Sequence, residues 1–229
     1  MTVRDALTLL MIVVLIACVA VRLSPKMRSR DPSTVGILIT VSLGLVFSVS
    51  SVFGTVDRWF GGRSYLNLIQ HLVLIVAYWW YTRNLARPLI RGARPITLGA
   101  WVPCLATIGA VAGFVLMDVN GSSPGVIEKV ASPVWLAYQV FSLMPLWIPS
   151  ATMLSLLWHA REIRKFRGLR WSYRLATSGY AWSVVSVVLY GMSMLSATWL
   201  DARDIAILVT ELSFVGSLVV TALIQRPRL

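Results

Sequence analysis

The sequence predicts an all-α integral membrane protein, a single domain of seven transmembrane helices over residues 1–229 with its N-terminus outside and its C-terminus in the cytoplasm. The chain is 57% hydrophobic and only 13% charged, which is more apolar and less charged than soluble domains are. The charges are concentrated in short stretches between long apolar runs. Lipid is the solvent that suits this composition, so we expect a multipass protein of a bacterial-type plasma membrane.

Seven apolar stretches are each long enough to cross a bilayer, which takes about 20 helical residues. A helix satisfies its own backbone hydrogen bonds in lipid, and these runs are too long for the strands of a membrane barrel. The predicted helices cover residues 6–22, 35–54, 66–84, 96–117, 134–158, 173–197 and 205–224.

The first stretch is predicted to be a membrane anchor. A cleaved signal peptide carries its positive charge before the apolar core, whereas here Arg4 is offset by Asp5 and four basic residues follow the core. The third stretch ends in Trp79, Trp80 and Tyr81. Such amphipathic rings favour the level of the lipid headgroups, so they mark one boundary of the membrane.

The fourth stretch contains Gly109 and Gly113, four residues apart. Small residues at this spacing let two helices approach closely. The pattern indicates a helix-packing face, either inside the bundle or between two copies of the chain.

The fifth stretch contains Pro145 and Pro149 near the middle of the membrane. Each proline removes a backbone donor and disturbs the preceding turn. We therefore expect this helix to bend or break. Interrupted helices expose backbone groups at the binding sites of transporters, but a proline can also serve only to bend a helix.

The distribution of basic residues predicts the orientation. Of the 21 lysines and arginines, 16 lie in the connections after the first, third, fifth and seventh stretches or in the helix ends that adjoin these connections. Cytoplasmic loops carry the excess of positive charge, so these connections are expected in the cytoplasm.

The seventh stretch contains Glu211, a carboxylate within an otherwise apolar run. His71, Gln139 and Tyr190 are predicted at a similar depth on three other helices, and Asn67 precedes His71 by one helical turn. A carboxylate facing lipid is costly, so an outward-facing polar pocket with His71 as the partner of Glu211 is one interpretation. The alternatives are a hydrogen bond that only holds helices together, and contact with a partner protein.

A basic segment follows the fifth stretch and is interspersed with apolar residues. Such a segment can lie on the cytoplasmic membrane surface and bind anionic headgroups, or it can dock a cytoplasmic partner. The predicted headgroup ligands are Arg161, Arg164, Lys165, Arg167 and Arg170.

The sequence lacks the motifs of several kinds of binding site and active site. The sequence has no phosphate-binding G-x-x-x-x-G-K-[ST] and no H-E-x-x-H zinc motif, so no cofactor or metal is expected. No predicted helix contains a lysine, which excludes a retinal Schiff base. An intramembrane enzyme using Glu211 and His71 is a third interpretation, but no nucleophile accompanies them. The loop distribution of the basic residues argues against nucleic acid as a partner.

The stretch "VDRWFGGRSYLNLIQHLVLIVAYWWYTRNL" carries Asp57, Gly61, Asn67 and His71. In this stretch the chain resembles an uncharacterised family of actinobacterial multipass membrane proteins that are labelled as transporters. The resemblance covers about 30 residues and implies membrane transport.

These observations predict a transporter or receptor for a small solute or for protons. The alternative is an interaction or regulatory subunit that docks a partner through the fourth helix or the basic loops. The expected partners are the bilayer with its anionic lipids, a small solute or proton, and a second copy of the chain or another membrane protein.

Overall fold

A computed structural model of the protein describes residues 3–24, 32–90, 92–93, 95–117, 132–160 and 168–224. Across these ranges every regular element is helical. The α-helices are α1 Val3–Leu23, α2 Pro32–Val46, α3 Ser50–Trp59, α4 Tyr65–Ala86, α5 Trp101–Met117, α6 Pro133–Ser142, α7 Met144–Trp147, α8 Ser150–Ala160, α9 Arg170–Leu195 and α10 Leu200–Ile224. Short 3₁₀ turns occupy Ile96–Leu98 and Ala197–Trp199.

Three described helices, α1, α9 and α10, are long and apolar enough to cross a membrane, and the bent pair α2–α3 would make a fourth. The sequence predicted seven such helices. The other predicted segments are not long, continuous apolar helices, each for a different reason. Helix α5 has only 17 residues, the fifth predicted helix is interrupted, and α4 has 22 residues but mixes its aliphatic side chains with amides, a histidine and several tryptophans and tyrosines.

The second predicted helix is not continuous, so its range of 35–54 was wrong. Helices α2 and α3 meet at 87°. At the break, the Ser48 hydroxyl donates to the carbonyl of Gly44 at 3.2 Å and accepts from the Gln70 amide at 2.6 Å. A serine that bonds back to its own helix favours bending, and Gln70 on α4 fixes that serine in place.

The fifth predicted helix is divided into α6, α7 and α8, with Pro145 in the four-residue α7 and Pro149 just before α8. Neither proline has a backbone N–H to donate, so the helical ladder cannot run unbroken through this region. The Trp147 indole donates to the carbonyl of Val140 at 2.9 Å. The side chain thus supplies a hydrogen bond where the backbone ladder is broken.

Glycines set the closest helix contacts. A methyl group on Gly36 would overlap the Trp80 ring, and one on Gly44 would lie 2.5 Å from Leu74. Helices α2 and α4 can therefore pack closely only because these positions lack side chains. Helices α9 and α10 form the most extensive helix pair, and α1 packs on both α2 and α10.

Candidate functional site

Helices α4 and α6 meet at His71, one of the predicted pocket residues. Its Nδ1 lies 2.8 Å from the Asn67 carbonyl oxygen and 2.9 Å from the Tyr138 hydroxyl. With a proton on Nδ1, the ring donates to both oxygens. The Asn67 side chain is buried, but its contribution to His71 is its backbone carbonyl. Sequence analysis had missed Tyr138, which is fully buried beside Gln139.

The predicted residues Gln139 and Tyr190 are also buried in this part of the bundle. The Tyr190 ring packs on Trp135 at a centroid distance of 5.5 Å. The Arg203 guanidinium lies over both rings, 5.3 Å from Tyr190 and 5.7 Å from Trp135. Arg203 is only 3% exposed and forms a 2.7 Å ion pair with Asp204. We call Trp135, Tyr138, Tyr190 and Arg203 the aromatic–arginine cluster.

The predicted partnership of Glu211 with His71 stays a prediction, and the packing of α4 against α10 gives the relative levels of the two residues. Helices α4 and α10 run in parallel, since Tyr78 packs on Phe214 and Tyr81 bonds to Ser217. This register places Glu211 level with position 75, about 6 Å along the helix beyond His71. Glu211 is half-buried and lies within Coulombic range of Tyr78.

Asp57, near the end of α3, positions α4. Its carboxylate is fully buried and accepts from the backbone N–H groups of Ser64 at 2.9 Å and Leu66 at 3.0 Å. The turn between them is tight, with Gly61 at a φ of 91° and Ser64 at 56°. This geometry gives Asp57 a capping role at the start of α4.

The two glycines of α5 face α6. A methyl group on Gly109 would overlap the Phe141 ring, and one on Gly113 would lie 3.0 Å from the Tyr138 Cβ. The glycine face is thus occupied inside the bundle. Of the predicted headgroup ligands, Arg170 is exposed at the start of α9, and Arg161, Arg164, Lys165 and Arg167 lie outside the described residues.

A cavity of about 230 Å³ opens at the other end of the bundle, where α4 ends and α9 begins. We call this end, which also carries Arg22 and Arg83, the basic end. Four helices or their flanking turns contribute to the cavity: the start of α2, the end of α4, the start of α9 and the end of α10. Its polar lining residues are Ser33, Thr34, Tyr81, Asn84, Arg87, Tyr173 and Thr221.

Hydroxyl groups connect the helices behind this cavity. The Tyr81 phenol donates to Ser217 at 2.6 Å. The Ser172 hydroxyl lies 2.9 Å from that of Ser217 and 2.7 Å from that of Thr221. Four side chains from three helices thus form one hydrogen-bonded chain, which we call the hydroxyl chain. It fixes the relative positions of α4, α9 and α10.

Two of the arginines at this end lie at the cavity. The Arg22 side chain is only 6% exposed, and its Nη2 donates to the Thr221 carbonyl at 3.1 Å. Arg87 is exposed and lines the cavity together with Asn84, three residues earlier. The end of a helix carries partial negative charge, so Arg22 is well placed against the last turns of α10.

The cavity could not be predicted from the sequence, although one signal of the helix contact behind it was present. Polar residues recur on α10 at Thr210, Ser213, Ser217 and Thr221, a spacing of three or four that places them on one face. A small polar stripe along an apolar helix indicates a hydrogen-bonded helix contact. Each hydroxyl is unremarkable alone, and only the pairing of α9 with α10 brings them beside the end of α4.

No protein family, curated protein or solved structure matches the chain.

Proposed function

We propose that the chain is a multipass membrane carrier that binds a small polar solute in the cavity at the basic end. The observation that carries this proposal is the cavity itself, lined by polar groups from elements that lie far apart in the sequence. Small-molecule sites are concave and combine apolar walls with a few placed polar groups. Ile37, Leu85 and Leu218 supply such walls here. A volume of about 230 Å³ suits a small solute.

The proposal retains seven membrane segments, with the N-terminus outside. Helix α4 has 22 residues and would extend roughly 33 Å, enough to cross the hydrocarbon core. The broken segment α6–α8 would cross as an interrupted helix, and the bent pair α2–α3 would account for the second crossing. The excess of basic residues on one set of loops supports a cytoplasmic location for the basic end.

The opposite end of the bundle is packed around the aromatic–arginine cluster. Trp135 and Tyr138 are almost fully buried, and Arg203 lies over the rings of Trp135 and Tyr190. A cavity that opens at one end, with the described residues of the other end packed around this cluster, supports a carrier open to one side of the membrane. This arrangement replaces the outward-facing pocket expected from Glu211 and His71.

The alternative function was a subunit that docks a partner through the glycine face of the fourth predicted helix. The position of that face in the structure removes this argument. Gly109 and Gly113 face Phe141 and Tyr138 of the same chain, so these glycines supply no free surface for a partner helix. We therefore prefer the carrier to the docking subunit.

Accessibility of an introduced cysteine tests the proposal. In a background with Cys18 and Cys104 replaced by alanine, Ser33→Cys places a thiol in the cavity lining. A bulky polar thiol reagent should label it in lipid nanodiscs, where both faces are open to solvent. At least one of glucose, glycine, acetate, glycerol 3-phosphate and choline should slow this labelling when present in excess.

Gly168→Cys is the matched control, because Gly168 is exposed near the same end and is not a lining residue. Its labelling should be unaffected by every solute. The proposal fails if none of the five solutes protects Ser33→Cys, or if protection extends equally to Gly168→Cys.

A further inference from the structure

The charge of the cavity lining has one sign. Arg87 is the charged lining residue, and no carboxylate lines the cavity among the residues that the structure describes. The second cation, Arg22, approaches from behind through its bond to Thr221, itself a lining residue. With the exception of Glu211, the described acidic residues lie toward the opposite end, on α1, α3 and α10. The described lining therefore carries a net positive charge.

The free donors in the cavity lie on the last turn of α4 and just beyond it. Neither Asn84 nor Arg87 has a side-chain hydrogen-bond partner among the described residues. The hydroxyls behind them differ, because Tyr81, Ser172, Ser217 and Thr221 already bond to one another in the hydroxyl chain. Guanidinium and amide groups offer several N–H donors and match the oxygens of a planar or tetrahedral anion.

We propose that the cavity binds a small oxyanion, held between the guanidinium of Arg87 and the side-chain amide of Asn84. This inference rests on the proposed function and names the class of solute. The apolar walls formed by Ile37, Leu85 and Leu218 accommodate a short carbon skeleton attached to the anionic group. Arg87 is exposed at the mouth, so it can meet the anion in solvent and deliver it to the lining. A phosphate group from a soluble solute and one from a lipid headgroup share this chemistry.

The test measures how fast Ser33→Cys is labelled in nanodiscs of phosphatidylcholine alone, in the same cysteine-free background. Glycerol 3-phosphate should slow labelling, whereas glycerol, which lacks the anionic group, and choline, which is a cation, should not. Arg87→Gln should weaken protection by glycerol 3-phosphate about tenfold or more, since a charge-assisted hydrogen bond is lost.

Arg83→Gln is the charge-matched control. Arg83 lies one helical turn before Arg87, with its guanidinium 5.2 Å from the centre of the Trp79 ring, and is not a lining residue. This variant should keep protection at the parental level. Equal loss of protection in Arg83→Gln and Arg87→Gln would mean that overall charge, rather than this site, attracts the anion, and would overturn the inference.

The outcomes separate the inference from the proposed function. If glycerol or choline protects as well as glycerol 3-phosphate does, the oxyanion inference is wrong while the solute cavity stands. If no solute protects Ser33→Cys, the solute carrier itself is refuted. A further arm adds phosphatidylglycerol to the nanodiscs without any soluble anion. If Arg87-dependent protection occurs only in the nanodiscs with phosphatidylglycerol, the oxyanion site binds a lipid headgroup. If glycerol 3-phosphate gives Arg87-dependent protection in nanodiscs of phosphatidylcholine, the site binds a soluble solute.

Discussion

The phenol of Tyr81 donates a 2.6 Å hydrogen bond to the hydroxyl of Ser217, joining α4 to α10 across 136 positions of the sequence. Tyr81 also packs edge-on against Phe214, at a ring-centroid distance of 5.6 Å. This pair therefore positions the end of α4, which carries Asn84 and Arg87, against the hydroxyl chain.

Tyr81→Phe should destabilise the bundle while keeping the ring contact with Phe214. Hydrogen bonds between membrane helices contribute about 0.6 kcal/mol on average in double-mutant cycles, so we expect a loss of roughly 0.5–1 kcal/mol in the free energy of unfolding. Ser217→Ala should show coupling to Tyr81→Phe in a double-mutant cycle, measured by unfolding in detergent. Tyr65→Phe is the control, because that ring is 40% exposed. Additive effects of Tyr81→Phe and Ser217→Ala would contradict the role given to this bond.

Asp57→Ala should weaken the start of α4. The carboxylate caps two backbone N–H groups in a fully buried position, and loss of a helix cap costs about 1–2 kcal/mol. Asp57→Asn should cost less, since the amide keeps one acceptor oxygen. Asp201→Ala, at an exposed position in the first turn of α10, serves for comparison. Proteolysis or thermal unfolding that ranks Asp201→Ala as the more damaging change would refute the capping role.

Gly109→Ala and Gly191→Ala should have opposite effects on stability. The added methyl group on Gly109 would meet the Phe141 ring, whereas nothing lies within 4 Å of one on Gly191. Overpacking costs about 1–3 kcal/mol, and replacing a helical glycine in open space gains roughly 0.5–1 kcal/mol. Thermal unfolding in detergent should show a lower midpoint for Gly109→Ala and an unchanged or higher one for Gly191→Ala. The same sign for both variants would contradict the close contact of α5 with α6.

Much of the helix arrangement could be predicted from hydropathy alone. The first, sixth and seventh predicted segments closely match α1, α9 and α10. Pro145 and Pro149 indicated the interruption of the fifth segment, because proline acts on the backbone of its own helix. A serine such as Ser48 is a weaker local signal than a proline, and its position at the break also depends on Gln70 of another helix.

The site was harder to predict because it depends on how the helices pair. Arg203 follows the exposed Trp199 by four residues, and its sequence position is typical of an outer loop. The Arg203 side chain is buried against Trp135 and Tyr190, which can be seen only when α6, α9 and α10 are packed together. Depth along a helix can be counted from the sequence, but the direction in which Glu211 faces cannot.

The orientation of the chain stays a prediction that cysteine labelling in intact cells can test. Ser123→Cys should react with a membrane-impermeant thiol reagent applied from outside, and Gly168→Cys should react only after the membrane is opened. The reason is the excess of basic residues on the loops of the Gly168 side. Both variants should be labelled in permeabilised cells, which shows that each thiol is accessible. Labelling of Gly168→Cys in intact cells would reverse the orientation.

Glu211→Gln should leave the cavity unaltered. Glu211 is not a lining residue, and the substitution keeps its size while removing its charge. The labelling rate of Ser33→Cys and its protection by glycerol 3-phosphate should match those of the parent. Loss of protection in this variant would return Glu211 to the binding site and restore the role expected from its position in an apolar helix.

The pairing of α9 with α10 extends over most of their length. Hydroxyl contacts occur between Ser172 and Ser217, between Ser178 and Ser213, and between Ser186 and Thr210. Because the hydroxyl groups of each helix find their hydrogen-bond partners on the other, the two helices form an antiparallel hairpin that is held together by its own contacts. Two polypeptides, residues 1–167 and 168–229, co-expressed from separate reading frames, should therefore reassemble in the membrane. Such a split protein would allow the hairpin to be isotopically labelled by itself, so that magnetic resonance could follow its side chains without signals from the other helices.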